Sequence, residues 1–340
     1  MRIDCSSTGV AAALTIAALL HAPAAAQNVL VYGQVRLTAN QIKTGSASGV
    51  EELRDNASRL GFRGSEDLGE GLAALFGLEL GLNADTGAQA DAASAYRHSY
   101  VALRGGWGTL ALGRLDSANP TGSPLYSQVT AITSFAPNDA GATAIGTSML
   151  NARNRTSNSI GYITPRVGGV DLRVRGYLRG AGTATEAEDA ARSLDVGLNY
   201  ADGALKAALG GAKDARSGGL ADNEFDTKWQ AGLAYDFGVL EAYALVGQDR
   251  FRNTATTRRN VDYGIVGAAF RLGPHKLVLN LLQRDVQRSL AGVRKRQQLG
   301  WQYALSKRTE LQAFVDHDGV DSSKTDVKVR AIGAGIRHDF

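Results

Sequence analysis

The chain has 340 residues, 41 of them glycine and only 6 proline, with 44% hydrophobic side chains and a formal charge of +4. So modest a charge, carried without a long basic run, argues against a nucleic-acid partner, and the single cysteine, Cys5, lies too near the start to supply a disulfide framework or a thiolate metal site for the rest of the chain. No stretch approaches the roughly 18 uninterrupted apolar residues of a membrane helix, so a helical membrane protein is excluded; abundant glycine without a sustained helical period points to many strands and tight turns.

Residues 1–26 read as an export leader: Arg2 is a short basic start, "VAAALTIAALL" an apolar run, and "APAAA" a small-residue cleavage pattern placing the cut before Gln27. Cys5 precedes the apolar run and is therefore no lipid-acylation point. Residues 27–340 then form one folded unit with no second domain. Its first strand is "NVLVYGQVRL". The next stretch, "SRLGFRGSEDLGEGLAALFGLELGL" (58–82), holds a G-x-G-x-x-A match at Gly69, Gly71 and Ala74, the turn that cradles a dinucleotide pyrophosphate when a helix follows. No helix follows here. Leu72, Ala74, Phe76, Leu78, Leu80 and Leu82 share one parity; Ala73, Leu75, Gly77, Glu79, Gly81 and Asn83 share the other. A period of two means a strand with one apolar and one small or polar face, so "SEDLGEG" is expected as a hairpin turn, and no cofactor is expected.

The alternation recurs to the C-terminus: Trp229, Leu233 and Phe237 against Lys228, Gln230 and Asp236; Leu277, Leu279 and Leu281 against Lys276 and Asn280; Leu299, Trp301 and Tyr303 against Gln298 and Gln302. Each segment is about ten residues, the length of a tilted strand crossing a bilayer, with aromatics near segment ends. Connections alternate in length. Seven short turns ("SEDLGEG", "RGGWG", "PRVGG", "ADG", "DFG", "RLGPH", "LSKR") interleave with eight longer polar stretches around 39–57, 84–94, 115–154, 180–190, 214–225, 251–258, 287–293 and 319–324. Fifteen connections join sixteen strands, and pairing the first with the last closes an all-β transmembrane antiparallel barrel with no open edge. Short turns are expected on the periplasmic rim and long loops outside. A lumen of this strand number is wide enough for water, so the longest connection, 115–154, is expected to fold inward and narrow it.

"SRLGFRGSEDLGEGLAALFGLELG", "YRHSYVALRGGWGTLALGR", "RTSNSIGYITP" and the terminal "GAGIRHDF" closely resemble the trimeric general porins of Gram-negative outer membranes, particularly the anion-preferring proteobacterial type. The resemblance implies a 16-stranded barrel in outer-membrane lipid, a homotrimer, a constriction formed by the third loop, passive diffusion of small anionic or neutral solutes, and a terminal aromatic, Phe340, recognised by the barrel-assembly machinery. It transfers constriction arginines onto Arg59, Arg97 and Arg155. Alternation places Arg59 with Gly61 and Arg63 opposite Leu60 and Phe62, and Arg97 with Ser99 opposite Tyr100, both sets toward water. Where the family often carries an acid in its first strand, Arg36 stands here, and it is expected to strengthen a positive lumen. For the acidic cluster of the third loop Asp139 is the best candidate and Asp116 a weaker one. In the last strand Val327 and Val329 differ in parity from Ile332, Ala334, Ile336 and Phe340, which predicts a bulge or the membrane boundary near Arg330.

Catalysis has little support. His98 adjoins Ser99, but neighbouring strand residues point to opposite faces, and no G-x-S-x-G elbow or H-E-x-x-H metal pair is present. A soluble exported β-sandwich would share the composition; it would have to turn the apolar parity inward.

Overall fold

The computed structural model describes residues 28–90, 95–115, 125, 155–178, 192–215, 225–252, 257–286, 292–322 and 327–340. These form β1 (Asn28–Thr44), β2 (Val50–Asp55), β3 (Ser58–Gly69), β4 (Leu72–Asn83), β5 (Ala88–Gln89), β6 (Tyr96–Gly105), β7 (Gly108–Leu115), β8 (Thr156–Ile163), β9 (Val170–Tyr177) and β10 (Arg192–Asp202). There follow β11 (Leu205–Ala215), β12 (Phe225–Asp236), β13 (Leu240–Arg252), β14 (Arg258–Leu272), β15 (His275–Val286), β16 (Gly292–Ala304), β17 (Thr309–Ser322) and β18 (Val327–Asp339). Every pairing is antiparallel and sequential, and β1 pairs β18 from Gln34↔Asp339 to Thr44↔Val329, which closes the sheet on itself. β3 pairs the first half of β1 and β2 the second half, so β2 and β3 are one interrupted stave. The two-residue β5 only extends β4 beyond its pairing with β6. The wall therefore has sixteen staves.

The connections sort by rim. Two-residue links such as Glu70–Gly71 and Gly106–Trp107 sit at one end, together with both ends of the described chain; the connection after β7 leaves from the other. At "SEDLGEG" the two central residues Glu70 and Gly71 have φ of 51° and 77°, the positive pair that matches a hairpin's twist. The first polar stretch, expected as a loop over 39–57, is mostly strand: only 45–49 link β1 to β2, and likewise 323–326 link β17 to β18. Staves rising above the bilayer carry polar residues outward as well as inward, so polarity there marks water and not the end of pairing.

Cross-strand rows show which parity faces lipid. Gln41, Ile332, Val315, Leu299 and Leu279 lie side by side, then Ala39, Ala334, Ala313, Trp301 and Leu277, then Leu37, Ile336, Leu311, Tyr303 and His275. Ile332, Val315, Leu299, Leu279, Leu277 and Ile336 of these rows are exposed, while Asn280, Gln298, Gln312 and Asp316 of the other parity are buried. That is the inverse of a soluble sandwich and the arrangement of a barrel in lipid. At the short-turn rim Trp301 and Tyr303 stack at 6.0 Å and Trp107 and Tyr162 at 6.2 Å, as an interfacial aromatic girdle does. β18 runs without a register shift against both neighbours, so the bulge expected near Arg330 is absent. Val329 faces inward and is buried, whereas Arg330 is exposed on the outer face above Ile332; the parity conflict reflects a polar residue at the membrane boundary.

Candidate functional site

Three irregularities on adjacent staves shape one patch of the inner wall. At the junction of β2 and β3 the register moves from Leu37↔Asp55 to Gln34↔Arg59, which inserts one extra residue. Ala57 absorbs it with φ 63°, while Arg36 accepts from the Asn56 N–H at 2.9 Å and donates its own N–H to Ser58 Oγ at 3.0 Å. On β6 the register jumps from Glu79↔His98 to Leu80↔Tyr96, leaving Arg97 as the extra residue. Between β7 and β8 it shifts again, from Gly113↔Ser159 to Leu115↔Thr156, with Asn158 at φ 54°. Each bulge re-aims the side chains beside it.

The consequence is plainest at Arg97. The expected parity grouped Arg97 with Ser99 against Tyr100, but Tyr100 and His98 point inward, their rings 5.6 Å apart, and Ser99 lies on the outward parity opposite Leu78. In an unbroken strand Arg97 would have followed Ser99 toward lipid. As the bulge residue it turns inward, and its Nε donates to Glu79 Oε1 at 2.6 Å. His98 and Ser99 do point to opposite faces, as expected.

Glu79 is the focus of the patch. Its side chain is 2% exposed, and an unpaired carboxylate so buried would be costly. Tyr32 donates its hydroxyl to Oε2 at 3.1 Å, the Arg59 Nε stands 3.7 Å away, and His98 Nδ1 is 4.0 Å from Oε1. Tyr32 reaches the carboxylate by lying flat over Gly61, where an added Cβ would come within 2.3 Å of the ring. Arg59 also donates to Gln34 Oε1 at 3.1 Å, and the Arg36 Nε donates to Gln312 Oε1 at 3.0 Å. Arg63 lies 5.1 Å from the centre of the Tyr32 ring. Beside Arg36 on the inner wall, Arg337 lies 2.8 Å from Asp339 and 3.8 Å from Glu310. Arg36, Arg59, Arg63, Arg97 and Arg337 thus outnumber Glu79, Glu310 and Asp339.

Across the lumen, Lys228 and Arg284 share Asp249 at 2.6 and 2.7 Å, Arg294 donates to Asp318 at 2.8 Å and Arg296 to Asp316 at 3.0 Å. Arg155 stands half-buried immediately before β8, one residue from Thr156, which pairs with Leu115 of β7. Leu125, within the long connection, is fully buried, and its carbonyl accepts from the inward-facing Gln230 of β12 at 2.6 Å; this residue lies inside the barrel. Asp139 and Asp116 lie outside the described residues. Glu79 was visible in the sequence as the only charge in "LAALFGLELGLN", on a face otherwise uncharged, but its partners come from three other strands.

Residues 11–323 match the Gram-negative porin family. The chain is 29% identical to outer membrane porin protein 32 of Delftia acidovorans over 95% of its own length and 93% of the relative's. It is also 29% identical to an outer membrane porin protein of Bordetella pertussis over 88% and 86%. Among solved structures it resembles the anion-selective porin from Comamonas acidovorans with a TM-score of 0.74 and 26% identity, covering 92% of this chain and all of that one. Sixteen closed staves with lipid outside and paired charges within, and a family match over most of the length, lead to one conclusion: this chain belongs to the Gram-negative porins, outer-membrane barrels that form channels for passive diffusion.

Proposed function

We propose that this porin prefers anions, and that Arg36, Arg59, Arg97 and Arg155 line its narrow zone. The excess of guanidinium groups over carboxylates in the patch around Glu79 carries this reading. Fixed cations on a low-dielectric wall raise the local concentration of anions, and guanidinium stays charged throughout the physiological pH range. The likeness to an anion-selective porin supports it. The long connection, with Leu125 inside, limits solute size, and its acids, Asp139 first, would temper the field. Neutral hydrophilic solutes pass by size alone, and no cofactor or metal takes part.

The same reading gives residues 1–26 as a cleaved leader, a homotrimer as the assembled form, and the loop rim as the outer one. Phe340, exposed on the outer face with Ile336, serves as the terminal signal for the assembly machinery. The deciding measurement is the reversal potential in a KCl gradient for wild type and for Arg59→Ser/Arg97→Ser. Wild type should be anion-selective, and the variant, which leaves Glu79 without its guanidinium partners, should shift toward cations. A cation-selective wild type would remove the proposal.

A further inference from the structure

Beside the arginines, two tyrosines are let into the wall by two glycines. Tyr32 of β1 lies opposite Gly61 of β3, which lies opposite Glu79 of β4. One row nearer the short-turn rim, Tyr100 of β6 lies opposite Gly77 of β4, which lies opposite Arg63 of β3. Side chains on a strand normally stand roughly perpendicular to the sheet, and a tyrosine standing on this wall would project into the channel. Neither does. An added Cβ at Gly61 would come within 2.3 Å of Cζ of Tyr32, and one at Gly77 within 2.4 Å of Cε1 of Tyr100. Each ring therefore lies flat across the glycine beside it.

Space is what these glycines supply. Neither has a positive φ, so the backbone itself would accept alanine, and the three atoms nearest such a methyl group all belong to the tyrosine. Similar pairs elsewhere do not meet the ion path. Tyr243 over Gly267 and Tyr263 over Gly247 are 4% and 5% exposed, and Phe76 over Gly64 faces lipid. Tyr32 and Tyr100 are half-buried, and Arg63, exposed, stands over the Tyr32 ring on the side away from Gly61.

We propose that Gly61 and Gly77 set the width of the channel beside the arginines, and so share with the long connection the limit on solute size. A methyl group at either position requires the ring to move off by about 1 Å to recover ordinary carbon contact near 3.5 Å. The way open is into the lumen, and at Gly61 the ring pushes the guanidinium of Arg63 ahead of it. Both glycines are positioning residues that act through the tyrosines. The inference rests on the reading that this patch lines the narrow zone.

Single-channel conductance of Gly61→Ala, Gly77→Ala and the double variant tests it, with liposome swelling in neutral sugars from a pentose to a trisaccharide as the second readout. Conductance should fall by about a quarter in each single variant and roughly two-fold in the double, following the cross-section of the narrow zone. Swelling rates should fall most for the largest sugar. Gly64→Ala makes the same change on the lipid face of the same strand; it reports the cost to the barrel and should conduct as wild type does. Gly77→Ala/Tyr100→Ser removes the displaced ring and should restore conductance. Should the double variant not insert, as heat-modifiable migration reports, the single variants carry the test. Wild-type conductance and an unchanged sugar cut-off in the folded single variants overturn the inference. So does an equal loss in Gly64→Ala, or no recovery in Gly77→Ala/Tyr100→Ser. If Arg59→Ser/Arg97→Ser shifts the reversal potential while the glycine variants conduct normally, this inference alone fails; if that potential does not move, the reading beneath it has failed as well.

Discussion

Glu79 holds two arginines, of which Arg97 would face lipid with Ser99 if β6 ran without its bulge. It partly offsets their charge and fixes their position, so it should act on selectivity in the direction opposite to theirs. A unit charge about 6 Å from the ion path in water-like dielectric changes an ion's energy by about 0.7 kcal/mol, roughly three-fold in local concentration. Glu79→Gln keeps the hydrogen-bonding shape and removes the charge. Its anion-to-cation permeability ratio should therefore rise several-fold in a KCl gradient; a ratio that stays level or falls would show that Glu79 lies off the ion path. At the other end of the same stave system, Phe340 packs on Gly33, where an added Cβ would meet the ring at 2.3 Å. Phe340→Ser should lower the amount of heat-modifiable protein in the outer membrane, and Gly33→Val should do so too by displacing the ring.

Strand elements here are regular over most of their length, and three of the departures fall on adjacent staves where the arginines are. Deleting Arg97 provides a direct test of the bulge. With that residue gone, Tyr96 and His98 become neighbours, and the pairings Leu80↔Tyr96 and Glu79↔His98 can join in an unbroken ladder. The deletion should leave a heat-modifiable barrel and shift the reversal potential toward cations, as loss of the guanidinium from Glu79 requires. Collapse of the barrel would mean that the bulge is needed to close the wall and not only to aim a side chain. The alternation of "LAALFGLELGLN" and of the β15–β18 segments was legible because each strand meets two very different solvents, and a period of two is written locally. The extent of β1 and β2 was not, because above the membrane both faces of a paired strand meet water.

Over the whole molecule, the inner wall is wet and charged, which has two measurable consequences. Exposed charges are screened beyond about 10 Å at 0.1 M ionic strength, so the anion preference should weaken steadily between 0.05 M and 1 M KCl. Leu125 lies against Gln230 across the interior, and the one native cysteine, Cys5, falls in the proposed leader. Leu125→Cys/Gln230→Cys should therefore be joined by a short thiol-reactive cross-linker in the folded barrel, and conductance should stay near that of the uncross-linked variant. Absence of cross-linking in heat-modifiable protein would put the connection elsewhere.

The sequence by itself determined the class of structure: a repeating two-residue period, segments of bilayer length, alternating short and long connections, and sixteen strands whose first and last must pair. These are properties of residues near one another in the chain, each strand answering to lipid on one side and water on the other. Only the tertiary structure decided the site. One extra residue on β6 reverses the parity of what lies beyond it, and whether a residue is extra depends on the partner strand, not on its own neighbours. Arg97 turns inward for that reason, and Glu79 gathers Tyr32, Arg59 and Arg97 because β1, β3, β4 and β6 lie side by side in the closed wall.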